Sequence, residues 1–240
     1  MDEIEKKVDG WLAEKGISLS AAQWKQFNDY YELLIEWNKK MNLTAITERA
    51  QVYIKHFYDS LSLSFVVPMN RISTLADIGS GSGFPAIPLK IIYPHLRVTT
   101  IDSLNKRVTF LQHVVERLEL ENVECVHSRA EDAARDARWR DRFDLVTARA
   151  VARMNILNEL CLPFVKPDGL FVAMKGAQGE EELADAGRSL RELKGKVERA
   201  VRFELPMEDA ARTIILIRKL AATPARYPRK AGIPAKQPLV

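Results

Sequence analysis

The sequence predicts a doubly wound α/β fold, with a mostly parallel seven-stranded sheet, helices on both faces and a helical extension at the N-terminus. Three observations carry this expectation. From residue 72 onward, short β-rich runs alternate with stretches of helical periodicity, the pattern of a parallel sheet with crossover helices. The first of those runs leads into Gly79-Ser80-Gly81-Ser82-Gly83, a strand-to-helix turn dense enough in glycine for backbone to approach a ligand. Before residue 60 the apolar residues recur instead at three and four residue spacing.

Taken in order, Ser20-Ala21-Ala22-Gln23 has the form of a capping box, and Trp24, Phe27, Tyr31 and Leu34 then line one helix face that Trp37 and Met41 extend. A polar segment follows, and residues 56–61 read as helix. His56 and Asp59, three apart on one face, form either an acid/base pair or a hydrogen-bonded pair orienting the next loop. Strands are expected near 74–78, 97–102, 123–127, 143–148 and 170–175, with helices near 86–93, 105–118, 154–162 and 179–194. Two further strands, near 197–204 and 213–219, are joined by too few residues for a crossover helix and should pair antiparallel. Four prolines in 221–240 forbid a long helix and favour an extended arm. The chain thus divides into a helical extension, 1–65, a main domain, 66–220, and a basic tail, 221–240.

Composition excludes several classes. The chain is 47% hydrophobic and 28% charged, with no run of the ~20 apolar residues that a membrane span needs. An N-terminus rich in Asp, Glu and Lys is unlike a signal peptide, so a cytoplasmic protein is expected, with no membrane partner. Cys125 and Cys161 lack metal-ligand spacing and read as small buried hydrophobes, so no metal is expected. The formal charge of +4 is concentrated at the end. Residues 218–240 hold Arg218, Lys219, Arg226, Arg229, Lys230 and Lys236 with no acid, which leaves −2 for residues 1–217. Such a tail suits a polyanion, or else simply solubilises the terminus.

In a doubly wound sheet, ligands bind beyond the carboxyl ends of the strands. After the first strand comes the glycine turn, and after the second Asp102, 23 residues beyond Gly79, near the spacing of a ribose-binding acid. A nicotinamide enzyme would have its third glycine one residue later, where Phe84 stands, and no P-loop lysine follows. A G-x-G-x-G turn, a ribose-binding acid and a closing antiparallel hairpin together resemble the Rossmann-like S-adenosylmethionine-dependent methyltransferases. The segment after the fourth strand, Thr147-Ala148-Arg149-Ala150, has neither the N-P-P-Y of exocyclic amine methylation nor the cysteine nucleophile of cytosine carbon-5 methylation. A target that needs little activation, such as an accessible ring nitrogen, remains.

Segments 37–46, 56–61, 77–89, 129–131, 149–152, 175–176 and 227–234 together resemble the bacterial small-subunit ribosomal RNA guanine-7 methyltransferase family, also called glucose-inhibited division protein B. The likeness covers essentially the whole chain. It implies methyl transfer from S-adenosyl-L-methionine to nitrogen 7 of one guanine in 16S rRNA of the small ribosomal subunit. By position it implies that Gly79, Gly81, Gly83 and Phe84 line the cofactor turn, that Asp102 holds the ribose and that Ala130 and Glu131 border the adenine. Arg149 would sit at the methionine end and serve, with Lys175, in catalysis. Lys175, Asn42, Arg129, Arg218, Arg226, Arg229, Lys230 and Lys236 are the expected RNA contacts, and a monomer is expected. Lys230 followed by Ala231 departs from the arginine and proline common in relatives, which bears only on tail geometry.

Guanine nitrogen 7 carries an in-plane lone pair and no proton, so its attack on a sulfonium methyl needs no general base. A chain without an evident base is compatible with that chemistry. Two other readings stay open from sequence: a non-catalytic RNA-binding module that keeps the fold, and a methyltransferase acting on a protein or small molecule.

Overall fold

A computed structural model describes residues 1–208 and 210–240; Asp209, inside the expected connection between the last two strands, lies outside the described residues. The N-terminal region opens with α1 (Glu3–Ala13) and α2 (Ala21–Met41). The capping box forms: Ser20 Oγ accepts from Gln23 N–H and Gln23 Oε1 accepts from Ser20 N–H, which satisfies two donors that the helix start leaves open. The apolar face of α2 buries Trp24, Phe27, Tyr30, Leu33 and Leu34, and Asn42 ends the helix at a left-handed φ of 50°.

The expected helix over 56–61 is longer and differently wound. α3 (Arg49–Val52) runs into a π-helical segment, Tyr53–Tyr58, and then α4 (Asp59–Leu61). A π turn adds a residue to the helical cycle and shifts the following side chains round the axis, a distortion frequent at functional sites. Here it turns Phe57 into the core and leaves His56 and Asp59 lining a cavity.

The sheet comprises β1 (Thr74–Ile78), β2 (Arg97–Asp102), β3 (Val123–His127), β4 (Phe143–Arg149), β5 (Val165–Lys175), β6 (Gly195–Glu204) and β7 (Ala211–Lys219). Its order is β3-β2-β1-β4-β5-β7-β6. The first five strands are parallel, while β7 pairs antiparallel with both β5 and β6. The expected hairpin is therefore present, with its second strand inserted between β5 and its first. Between the strands lie α5 (Ala86–Ile92), α6 (Asn105–Arg117), α7 (Ala130–Ala133) and α8 (Met154–Cys161). The helix expected over 179–194 is two short ones, α9 (Glu181–Ala184) and α10 (Gly187–Glu192). Gly187 weakens helix continuity, and Ser189 docks the second piece by accepting from Asn158 of α8.

Alternate residues of each strand enter opposite apolar cores. Leu75, Leu145, Val172 and Leu216 face a core shared with α1, α2, α5 and α6, and Ala76, Val146, Phe171 and Ile217 face the one beneath α8 and α10. The N-terminal helices thus share a core with the sheet. Burying each of Phe27, Phe57 and Phe110 stabilises this union by roughly 1.5–3 kcal/mol.

The tail is not the extended arm that its prolines suggest. It folds back along the domain, with Tyr227 and Leu239 buried and a single-turn helix, α11 (Ile233–Lys236), near its end. Arg140 gathers four carbonyls, donating to Thr223, Pro224, Tyr227 and Ala134. Lys219, with no exposed surface, donates to Asp141, Thr223 and the Leu162 carbonyl. These contacts offset the loss of chain entropy that would otherwise leave a proline-rich terminus loose.

Candidate active site

The turn after β1 has φ of 70°, 58° and 95° at Gly79, Gly81 and Gly83. Two of these glycines are distinct in kind. At Gly83 a Cβ would come within 2.6 Å of the Tyr30 hydroxyl and 2.8 Å of Leu111, so this position is set by α2 and α6 pressing on the turn. Tyr30, fully buried, donates its hydroxyl to the Ser82 carbonyl and locks that approach. At Gly81 a Cβ would meet nothing closer than 3.9 Å; only its left-handed backbone demands glycine, and the space beside it opens into a cavity. Asp102 braces the turn from β2, with Oδ2 accepting from Gly81 N–H at 2.9 Å and Oδ1 from Leu104 N–H at 2.8 Å.

The cavity measures about 470 Å³ and joins this turn to the ends of β4, β5 and the start of β7. Such a volume suits a small-molecule ligand. Phe84 forms its floor, flanked by His56 at 4.6 Å in a stacked arrangement, by Tyr30 at 5.4 Å and by Phe57 at 6.0 Å between ring centres. His56 Nε2 lies 2.9 Å from Thr44 Oγ1. Burial, with the Arg149 guanidinium adding to it, holds the imidazole down to about 3, so it is neutral at pH 7. The acid/base reading therefore fails for His56, and His56 and Asp59 share no hydrogen bond among the described residues: His56 is held by Thr44 and Asp59 by Arg149.

Opposite Phe84 stands a charged rim. Arg149, at the end of β4, places its guanidinium carbon 5.1 Å from the Phe84 ring centre and donates through Nη1 to Asp59 Oδ2 at 2.8 Å and to the Lys55 carbonyl at 3.0 Å. Arg212 Nε lies 3.3 Å from Asp59 Oδ1. Lys55 pairs with Glu208 at 2.9 Å. Lys175, expected at an RNA contact, is turned inward: its ammonium binds Glu182 at 2.7 Å and the Ala152 carbonyl at 2.6 Å, on the cavity wall.

Beneath the turn, Asp77 is wholly buried and neither carboxyl oxygen has a hydrogen-bond partner among the described residues. Burial pushes its carboxyl up to about 8 against the opposing pull of Arg149, so it is protonated at neutral pH.

The structure brings Gly79, Gly81, Phe84, Arg149 and Lys175 to one cavity. Asp102 and Glu131 stand outside its lining; Glu131 Oε1 accepts from Gly232 N–H of the tail at 2.8 Å, beside half-buried Ala130 and exposed Arg129. Asn42 is an exposed helix cap. Besides Lys175, three more of the expected RNA contacts have internal partners. Arg218 pairs with Glu198 at 2.7 Å, Arg226 with Glu192, and Arg229 forks onto fully buried Glu159 through Nε at 3.0 Å and Nη2 at 2.6 Å. Lys230 and Lys236 remain exposed. Sequence reading missed Lys55, Arg212, Glu182 and Thr44. The Arg212–Asp59 contact joins residues in different elements with most of the sheet between them, and no local pattern reports it.

Comparison with known proteins agrees with this architecture. A family model described as rRNA small subunit methyltransferase G matches residues 23–211. A protein of that name from Brevibacillus brevis is 56% identical over 95% of this chain and 96% of its own length. The Bacillus subtilis protein of the same name is 52% identical over 98% of both chains. Among solved structures, an O-methyltransferase from Bacillus cereus in complex with SAH superposes with a TM-score of 0.59 at 17% identity, covering 90% of this chain and all of the other. A SAM-dependent methyltransferase from Aquifex aeolicus gives 0.52 at 18% identity, covering 73% and 96%. The structural likenesses speak for the fold, and the near full-length sequence identity for the lineage: the chain belongs to the rRNA small subunit methyltransferase G family.

Proposed function

We propose that the chain transfers a methyl group from S-adenosyl-L-methionine to nitrogen 7 of one guanine in 16S rRNA of the small ribosomal subunit. The observation that carries this reading is a cavity joining the glycine turn to an arginine rim with, among the described residues, none poised as a general base. His56 is too weakly basic, Asp59 is held by two arginines, and Lys175 is paired. A ring nitrogen with a free lone pair is the nucleophile such a site can serve.

The residues present fit the cofactor. Gly81 leaves open space beside the turn; Asp102, 3% exposed and outside the cavity lining, has three donors near a carboxylate that offers about four lone-pair sites, which leaves one for a ribose hydroxyl. When bound, the cofactor supplies an electrophilic methyl on a sulfonium. The turn and Asp102 would hold the nucleoside end, Ala130 and Glu131 its base, and Arg149 the end nearest the acceptor. Phe84, stacked on the neutral His56 ring, adds apolar surface to the cavity lining. The target guanine has to leave its stack, at a cost of a few kcal/mol that the rim and wall must offset.

The test is labelled methyl transfer to small-subunit particles and to free RNA, followed by mapping of the modified base. Label at guanine nitrogen 7 is expected. Label in protein, in a small molecule or at an exocyclic amine would refute the reading, and absence of cofactor binding in a calorimeter would leave only an RNA-binding module.

A further inference from the structure

Asp59 is 3% exposed and faces arginines from two strands: its Oδ2 accepts a hydrogen bond from Arg149 at 2.8 Å, while Oδ1 lies 3.3 Å from Arg212 Nε in an ion-pair contact without a hydrogen bond among the described residues. Among the described residues no other carboxylate lies within ion-pair distance of either guanidinium. All three side chains line the cavity. We infer that Asp59 is the positioning residue of this site: it fixes both guanidiniums on the rim and offsets part of their charge at the place where the acceptor base must become positive.

The inference rests on the methyl-transfer reading. Transfer to nitrogen 7 moves positive charge from the sulfonium onto the imidazole ring of the guanine, so each uncompensated cation beside that ring opposes the step. Yet donors are needed to hold the base. Guanine presents its O6 acceptor next to nitrogen 7, an edge that guanidinium recognises, and here only O6 can be engaged if nitrogen 7 is to react. A guanidinium paired with a buried carboxylate reconciles the two demands, because it keeps its N–H donors and loses much of its field. The geometry suits that role. Arg149 is fixed by Asp59, by the Lys55 carbonyl and by the face of Phe84, which leaves its plane little freedom. Arg212 is steadied by Asp59 and by the Ala211 carbonyl at 3.2 Å. The π-helical segment supplies the final element, since it directly precedes Asp59 and sets where that carboxylate points.

The experiment compares full-length wild type, Asp59→Asn, Asp59→Glu, Arg149→Met and the double variant Asp59→Asn/Arg149→Met. Each is assayed for single-turnover transfer to small-subunit RNA, for cofactor affinity by calorimetry and for Tm. Asp59→Asn is expected to slow transfer on the order of 10²-fold, with cofactor affinity changed less than about threefold. Asp59→Glu, which keeps the charge and moves it by one methylene, should fall between Asp59→Asn and wild type. The double variant should be no slower than Asp59→Asn, because one of the two cations left uncompensated has gone and only Arg212 remains. A fall in Tm with transfer unchanged, or losses that multiply in the double variant, would overturn the inference. If Asp59→Asn does not fold, Asp59→Glu reads the same geometry, and a wild-type rate there overturns it. A wild-type chain that methylates no RNA sinks the function reading itself; a wild type that does, beside an equally fast Asp59→Asn, sinks only the assignment of Asp59.

Discussion

Cations gather in two regions of this molecule, the C-terminal tail and the rim of the cavity, and the two regions present them differently. Approaching and along the tail, Arg218 has Glu198, Arg226 has Glu192 and Arg229 has the whole of buried Glu159, while Lys219 shares Asp141 with Arg140, which lies 3.9 Å from it, away from the cavity. At the rim one carboxylate, Asp59, serves both Arg149 and Arg212 beside an open cavity. The tail's charges hold a proline-rich segment down, whereas the rim keeps positive charge facing the place where a substrate would lie. A shared carboxylate occurs in both regions, so function follows what space the paired cations face, and the density of Lys and Arg along the chain is a poor guide to it.

The largest effect that could break this contrast is on stability. Arg229→Met strands the charge of Glu159 in a fully buried position, which should cost about 3–5 kcal/mol and lower Tm by roughly 10 °C. Transfer per folded molecule should stay within about twofold of wild type. A thermal melt that barely moves would show that the tail is not anchored as described. Arg149→Met should weigh the other way, slowing transfer on the order of 10²-fold with a smaller fall in Tm than Arg229→Met, because Arg212 still lies 3.3 Å from Asp59; a fall in Tm as large as that of Arg229→Met with transfer unchanged would erase the distinction between the regions.

A smaller effect concerns pH. His56 is held at about 3 when folded against 6.5 in the unfolded chain, so between those values the unfolded state binds the extra proton. Its contribution to stability is intact above pH 6.5 and is lost as pH falls toward 3. Melts at pH 7 and pH 5 should show wild type losing more stability on acidification than His56→Gln, and equal losses would contradict the burial assigned to the imidazole. The smallest effect is expected from Lys230→Glu with Lys236→Glu, both exposed. Folding should be unaffected and the salt slope of RNA binding should fall by no more than about two. A collapse of RNA binding would give the tail the role that its composition suggested.

Much of the fold was legible because it rests on local signals. The alternation of strand and helix, the capping box at Ser20 and the glycine turn each lie within a few consecutive residues, and each is present in the structure. The split between α9 and α10 was less legible, since Gly187 is the single local hint. The tail was misread for a physical reason: prolines forbid a long helix but say nothing about whether buried Glu159 and the Arg140 and Lys219 side chains wait to bind an extended segment. Half of the site, Gly79 to Phe84 and Arg149, could be found at strand ends. Arg212, Lys55 and the sharing of Asp59 could not, because those contacts depend on β7 being inserted beside β5 and on a π turn that no periodicity announces.

Methyl transfer at this site depends on placing charge and moves no proton. This is tested most directly by the pH dependence of the single-turnover rate on small-subunit RNA, with cofactor saturating. A rate that stays level between about pH 5.5 and 7.5 is expected, because His56 is already neutral and nitrogen 7 carries no proton to remove. A rate that falls on acidification with an apparent pKa near the ordinary histidine value of about 6.5 would contradict the account and put a general base back in the site.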